Sequence, residues 1–577
     1  MELVLIDAIG PFFKGYDKQV VNWSKLPFDH LETVDPVRRR KQFDGIQEEL
    51  TSFAEQVSAL GYNAATLDDL AHLATSPRYE PATKERVDVL REEYRPLFQI
   101  LLDHGLQPYL TADILSYTPA LMEEIGDDPE AISGFLADLV DRFFEDFPEV
   151  AGITFRIGES DGQDIENEDF TSQLVMRKPA EMNRLLRTLL PVFEKHDRRL
   201  ILRTWTVGAY RIGDLIWHRG TLAKTLAGID SPNFVLSMKY GESDFFRHLN
   251  LNRSFFQGGC RKMIELQGRR EYEGCGEFPA FIGNDYERLA RELSQADNII
   301  GMSMWCQSGG WVPFRRRAFL EQDGKGVWNE INTAVSVSIF RDGVSVETAV
   351  RRYAVANGIE DSVGLLELLR LSEEVIRELF YVRQFAELTL FFRRVRIPPL
   401  VAVYWNNLFI NHSVRKILRH FVTDGEQAVR EGYAALKKIV RMRELAEELG
   451  LPADDIEFMH ATGEIMALAR EFYFLPADES VPKRIEEAKE AYKQKFPDGS
   501  RPRYQVCTNF EPFHLKRWHL RWSMAFAMRR KRSYRILDHL FTLHLLGLVY
   551  RVVQSRRPSL IPKFARDSAM GIDTIFR

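Results

Sequence analysis

One repeated pattern limits most of what this chain can fold into. Across residues 1–320 a short apolar run is followed by polar residues and then by an amphipathic stretch, and the cycle recurs eight times. The runs are 2–9 (ELVLIDAI), 61–67 (GYNAATL), 106–112 (LQPYLTA), 151–158 (AGITFRIG), 199–206 (RLILRTWT), 233–240 (NFVLSMKY), 262–268 (KMIELQG) and 298–304 (NIIGMSM). Each is short and nearly continuous in apolar character, as a strand buried on both faces must be. The stretches between them include 43–60, 83–104, 129–147, 179–196 and 285–296. They carry apolar residues at i, i+3 and i+4, as Phe135, Leu139, Phe143 and Phe144 do, the stripe of a helix lying on a sheet. Eight such units, with no phosphate-binding glycine motif, predict an α/β fold of the (β/α)8 TIM-barrel type rather than a doubly wound sheet.

The pattern ends near Asp323-Gly324-Lys325-Gly326, so residues 1–325 are assigned to the barrel. A chain of 577 residues, 45% of them hydrophobic, has material for more than one domain. Residues 326–500 predict an α-helical domain, with helices over 345–356, 360–393, 411–422, 425–449, 455–472 and 483–495. Gly358, Pro398-Pro399, Gly450, Pro452, Pro476 and Pro497-Asp498-Gly499 punctuate it.

Residues 501–577 predict a helical tail that is basic and aromatic-rich. They hold 16 Lys and Arg against 4 Asp and Glu, a local charge of +12 in a chain of net −6, which leaves −18 on the remainder. Phe513, Trp518, Trp522 and Phe526 stand among Lys516, Arg517, Arg521 and Arg529–Arg532. Such a tail packs on the acidic body or makes a peripheral contact with an anionic membrane. No nucleic-acid module is recognisable, so no nucleic-acid partner is expected. Assembly with further copies of the chain stays open.

The four cysteines (Cys260, Cys275, Cys306 and Cys507) are far apart with no CxxC spacing, against a zinc ribbon or a disulfide scaffold. His104, His196, His218, His248 and His412 show no metal-ligand spacing, so neither metal nor cofactor is expected. The N-terminus has no basic n-region, and the apolar run Leu540–Tyr550 is too short to span a bilayer. The expectation is a cytoplasmic protein, peripheral to the inner membrane face if the tail binds there.

In a barrel of this type chemistry collects at the C-terminal ends of the strands. The fourth strand ends in Arg156-Ile-Gly-Glu159-Ser-Asp161-Gly-Gln163, and the fifth carries Arg203-Thr-Trp205. The sixth ends in Lys239-Tyr240-Gly-Glu242-Ser-Asp244, the seventh in Gln267-Gly-Arg269-Arg270-Glu271-Tyr272, and the eighth in Met304-Trp305-Cys306. Acids and cations thus come to one rim from neighbouring strands, with two tryptophans between them. Paired carboxylates suit glycosidic hydrolysis. Cations beside them would depress the pKa a general acid needs, so they make sense where the substrate itself is a carboxylate. The rim therefore predicts a site for an acidic sugar.

Two of these segments resemble a known family. Lys239-Tyr-Gly-Glu-Ser-Asp244-Phe245, then Glu265-Leu-Gln267-Gly-Arg-Arg-Glu271-Tyr272-Glu-Gly274, is similar to the sixth and seventh strand ends of the glycoside hydrolase family 67 α-glucuronidases, Lys-Asn-Gly-x-x-Asp-Phe and Glu-x-Gln-x-x-x-Glu-Tyr-x-Gly. The resemblance implies an inverting hydrolase of uronic-acid-containing oligosaccharides, with Asp244 and Glu271 acting on the hydrolytic water. Glu159-Ser-Asp161-Gly-Gln163 is similar to the family's (Asp/Asn)-Ser-Glu-Gly-Gln, which makes Asp161 the general acid, or Glu159 two residues earlier. Arg203 and Lys239 match cations that hold the uronate carboxylate, with Arg156 standing in for a strand 4 lysine one residue out of register. Trp205 and Trp305 would bound the sugar face, with Tyr240, Gln267 and Tyr272 also in the binding set. The sequence departs from the family in the shorter acid, in a barrel pattern that opens at residue 2 rather than after a β domain, and in the basic tail. An alternative keeps the glycan pocket without efficient hydrolysis, in service of surface polysaccharide or lipopolysaccharide metabolism at a membrane face.

Overall fold

The computed structural model describes residues 1–14, 26, 28–157, 170–172, 174–204, 212–216, 218–306, 314, 326–388, 391–392, 395–396, 403–404, 407–512, 518, 521–522, 528–529, 548, 552–553 and 555–556. Eight parallel strands close a barrel: β1 (Leu3–Asp7), β2 (Ala64–Asp68), β3 (Gln107–Asp113), β4 (Gly152–Arg156), β5 (Arg199–Arg203), β6 (Phe234–Lys239), β7 (Arg261–Gln267) and β8 (Ile299–Trp305). Each pairs with the next and β8 returns to β1, Leu3 opposite Gly301 and Ile6 opposite Met304. All eight expected strands are present, because a run buried on both faces has a sequence signature that no amphipathic helix mimics.

The two faces of the strands do different work. Outward residues such as Val4, Ile6, Leu110, Phe155, Leu236, Ile264 and Met302 join the main core under the helices. Inward residues Leu3, Leu5, Ala64, Tyr109, Ile201, Val235 and Met263 form a separate apolar plug in the N-terminal half of the barrel. Below that plug Arg199 and Arg261 both pair with Glu2, and Arg199 Nη1 donates to the Tyr109 hydroxyl at 3.1 Å. These side chains fill the floor, and in barrels of this type ligands bind at the opposite end.

The outer helices are α1 (Pro36–Leu60), α2 (Pro81–Asp103), α3 (Pro129–Asp146), α4 (Pro179–Lys195), α5 (Arg219–Thr225), α6 (Gly283–Leu293) and α7 (Val327–Asp342). Asp35 and Asp128 cap α1 and α3, each accepting two backbone N–H groups ahead of a proline at the first helical position. Helix α7 completes the ring between α6 and α1. Its Asn329 Nδ2 donates to the Cys306 carbonyl at 2.6 Å and its Asn332 Nδ2 to the Gly268 carbonyl at 2.9 Å. The ring is thus closed by a helix that lies beyond residue 325.

The remaining long helices are α8 (Val346–Ala356), α9 (Ser362–Val375), α10 (His412–Phe421), α11 (Gly425–Glu448), α12 (Asp454–Phe474) and α13 (Ser480–Lys495). The continuous helix expected over 360–393 is not formed: α9 stops at Val375, a π turn spans Ile376–Phe380, and Phe391–Phe392 is a strand. Residues Gln505–Asn509, expected in a helical tail, form a strand parallel to Asn407–Asn411. Just before it, Tyr504 is buried and donates its hydroxyl to the Gly274 carbonyl, while Arg501 Nη2 reaches Glu277 at 3.1 Å and Asp455 at 2.6 Å.

Candidate active site

Side chains alternate along a strand, so one sequence parity faces the barrel axis. The last residue on that parity is Asp7, Asp68, Asp113, Arg156, Arg203, Lys239, Gln267 and Trp305 in strand order. The apolar plug below thus gives way, at one level, to a ring of charge, amide and indole. A middle tier of short polar side chains separates them, including Thr66 and Thr111, whose hydroxyls are 2.8 Å apart.

Three cations of that ring are each met by a protein carboxylate. Arg203 is gripped by Glu265, with Nε at 3.0 and 3.1 Å and Nη2 at 2.9 Å from its oxygens. Ser237 Oγ donates to the same carboxylate at 2.7 Å. The guanidinium so fixed lies 4.5 Å from the centre of the Trp305 ring, a cation–π contact that leaves the indole at the mouth. Arg156 Nε lies 2.7 Å from Asp113 Oδ1, and Ser172 Oγ donates to Oδ2 of that aspartate. Lys239 Nζ donates to Asp244 Oδ1 at 2.7 Å and sits 4.6 Å from the Phe245 ring centre.

The second oxygen of Asp244 accepts the Tyr272 hydroxyl at 2.6 Å. Tyr272 in turn packs on Phe246, ring centres 4.5 Å apart. Next in sequence, Glu271 Oε1 accepts from Gln267 Nε2 at 2.6 Å, and the Glu271 N–H donates back to Gln267 Oε1 at 3.2 Å. The ends of β6 and β7 therefore present two carboxylates, each held by a polar side chain from its own strand, Lys239 for Asp244 and Gln267 for Glu271. Both are largely buried, Asp244 at 7% and Glu271 at 9% exposure.

The loop that carries Glu271 is tightly coiled. Arg270, Gly274, Cys275 and Gly276 all have positive φ. A Cβ on Gly274 would collide with the Phe278 ring, so glycine is required there. Tyr286 of α6 anchors the start of the loop, accepting from the Gln267 N–H at 3.0 Å and donating to the Gln267 carbonyl at 3.1 Å.

Of the expected site residues, Asp244, Glu271, Lys239, Gln267 and Tyr272 are brought together, with Arg203, Trp305 and Arg156 on the same ring. Glu159, Asp161 and Trp205 lie outside the described residues. Tyr240 is turned away from the axis: its buried hydroxyl donates to the Phe246 carbonyl at 2.6 Å, accepts from Arg270 at 3.5 Å, and its ring packs edge-on against Tyr286. Odd and even positions of one strand cannot face the same side, and Lys239 already holds the inward one.

Glu273, which its charged neighbours make a candidate for a solvated loop position, is instead fully buried. It accepts from Arg247 at 2.9 and 2.8 Å and from Arg270 at 3.2 and 2.9 Å. Arg247 continues to Glu373 of α9 at 3.1 Å and to Asp285 of α6 at 3.5 Å. Burial alone would raise the Glu273 pKa, but the two guanidinium groups outweigh it and hold the carboxyl down at about 2. This network ties the loop to the helices behind it.

Glu265 and Asp113 have no role in the sequence reading, yet they set the orientation of Arg203 and Arg156. Their signal was parity: each stands an even number of positions from an inward residue of its own strand, Glu265 two before Gln267 and Asp113 four after Tyr109.

No protein-family model matches the chain, and no curated protein matches it in sequence. The solved structures it is similar to include a GH138 enzyme targeting pectin rhamnogalacturonan II, at 10% identity over 86% of this chain and 74% of that one, with a TM-score of 0.49. Another is CpGH84B, at 9% identity over 78% and 71% with a TM-score of 0.38. A third is a D-allulose 3-epimerase from Methylomonas sp., at 9% identity over 59% and 98% with a TM-score of 0.32. At such identities the likeness is one of barrel architecture, a fold that hosts many chemistries.

Proposed function

We propose that the barrel is a glycoside hydrolase of the α-glucuronidase kind, releasing a uronic acid from an oligosaccharide with inversion. The observation that carries this reading is the pair of carboxylates at the ends of β6 and β7, Asp244 bonded by Tyr272 and Glu271 by Gln267. In the proposed reaction they orient and deprotonate water on one face of the sugar. Asp161 or Glu159, which follow β4 in sequence, protonate the leaving oxygen on the other face. Inversion requires roughly 6.5–9.5 Å between acid and base, room for the water. Arg203, Lys239 and Arg156 hold the uronate carboxylate, and Trp305 bounds the sugar ring. Presetting Arg203 through Glu265 lowers the ordering cost of that contact.

A second reading is a barrel that binds the glycan without cleaving it. The occupation of both Asp244 oxygens favours it, since Lys239 and Tyr272 already bond the positions from which the carboxylate would meet water. Aldouronic oligosaccharides separate the two. Wild-type protein that frees the uronic acid in its inverted anomer, as followed by NMR, with loss of turnover in Glu271→Gln, supports hydrolysis. Binding of the same oligosaccharides with no release by wild type refutes it.

A further inference from the structure

We propose that the middle tier of the barrel binds ordered water on the barrel axis, between the apolar plug and the mouth. Thr66, Thr154, Ser237 and Ser303 define the site. In a barrel of this shear, a level gains about one residue per strand over the register partner. Thr66 is in register with Tyr109 and Tyr109 with Gly152, so the β4 residue level with Thr66 is two positions on, at Thr154. The same step reaches Ser237 through Ile201 and Val235, and then Ser303 through Met263 and Gly301. From Ser303 it returns through Leu5 and Ala64 to Thr66, so the level closes on itself. Leu5, Tyr109, Ile201 and Met263, which line the adjoining level on the alternate strands, all belong to the plug. One level is thus lined by four hydroxyls, each at 3% exposure or less.

A hydroxyl offers one proton and two lone pairs. Ser237 spends its proton on Glu265 Oε1 at 2.7 Å, and Thr66 spends its own on Thr111 or on the Leu67 carbonyl. Thr154 Oγ1 and Ser303 Oγ are buried with no hydrogen-bond partner among the described residues. They stand on β4 and β8, opposite sides of the barrel. The level therefore brings two unspent donors from β4 and β8 and two acceptors from β2 and β6. A buried hydroxyl left unbonded is costly, and internal water satisfies such groups where several polar atoms converge. Water fits this inventory because it accepts two hydrogen bonds and donates two. A cation would leave the Thr154 and Ser303 protons unmet. An anion would find only two donors, with the Glu265 carboxylate bonded to Ser237 nearby.

The test joins a crystal structure of the full chain, at a resolution that shows water, to urea unfolding of Thr154→Val. Water density is expected within hydrogen-bond distance of Thr154 Oγ1 and Ser303 Oγ in wild type, and its loss is expected in Thr154→Val/Ser303→Ala. Thr154→Val keeps the shape of the side chain and should lower the urea midpoint, because the water loses a partner. A hydroxyl with nothing bonded to it behaves in the opposite way, since its removal relieves a penalty; a midpoint unchanged or raised would overturn the proposal. No density beside either hydroxyl in wild type overturns it whatever the variants do. So does xenon bound at this level under pressure, the mark of a dry cavity. A wild-type midpoint that rises in sodium or potassium chloride but not in choline chloride identifies a cation in place of water, and equally overturns it.

Discussion

Replacing Glu273 by glutamine tests whether the loop carrying the proposed base is clamped by charge. The amide keeps the shape of the side chain but removes the negative charge between Arg247 and Arg270, both about 1% exposed. Arg247 retains Glu373 and Asp285; the carboxylate paired with Arg270 is Glu273. Removing one partner of a buried ionic group costs about 3–5 kcal/mol. The depressed acidity gives a second route to the number. A carboxyl moved from 4.5 to about 2 contributes about 3 kcal/mol. The sign follows from the direction: the folded pKa is lowered, so the stabilisation is complete above the unfolded value of 4.5 and is lost as pH falls from there towards 2. Urea unfolding followed by circular dichroism should place Glu273→Gln well below wild type at neutral pH. The gap should close as both are titrated below pH 4.5, because only wild type loses this contribution. An unchanged midpoint at neutral pH, or a gap that does not depend on pH, would refute the clamp.

Further outcomes follow from the mouth of the barrel. Glu271→Gln should cut kcat on aldouronic oligosaccharides by about 10²–10⁴ with little change in KM, and Asp244→Asn should do the same. Arg203→Met leaves Glu265, 1% exposed, as a buried carboxylate without its guanidinium, and should destabilise by about 3–5 kcal/mol in urea; Arg203→Met with Glu265→Met should recover most of that loss. Tyr504→Phe removes the donor to the Gly274 carbonyl and should cost about 1–3 kcal/mol, read as a lower urea midpoint.

The barrel was legible because its signal is strong and redundant. Strands buried on both faces and helices buried on one have different periods, and eight alternations leave few topologies. The rim was legible in part: Lys239, Gln267 and Arg203 were named from their place at the strand ends and from the family resemblance, and parity puts all three on the inward face. Parity also excludes Tyr240, whose neighbour Lys239 takes the inward position. What the sequence hid was pairing. Nothing in Glu265 or Asp113 announces which cation each meets, because those partners lie on other strands. Glu273 was obscured in the same way, since Arg247, itself held by Glu373, reaches it from a distant segment. The short strands at 407–411 and 505–509 were missed because polar residues flank them and Asn411 at once caps a helix, accepting from the Val414 N–H.

The clamp around residues 268–278 has a consequence for how the molecule can be divided. The strip that holds Glu271 is gripped from one side by α9 through Glu373 and from another by Tyr504 and Arg501. A cut at 325 would strip the barrel of α7, which closes its ring, and of Glu373, and a cut at 500 would remove Tyr504 from Gly274 and Arg501 from Glu277. Neither fragment would inherit the mouth as it stands in the whole chain. The C-terminal half thus shapes the barrel mouth from behind, as a mould shapes a casting.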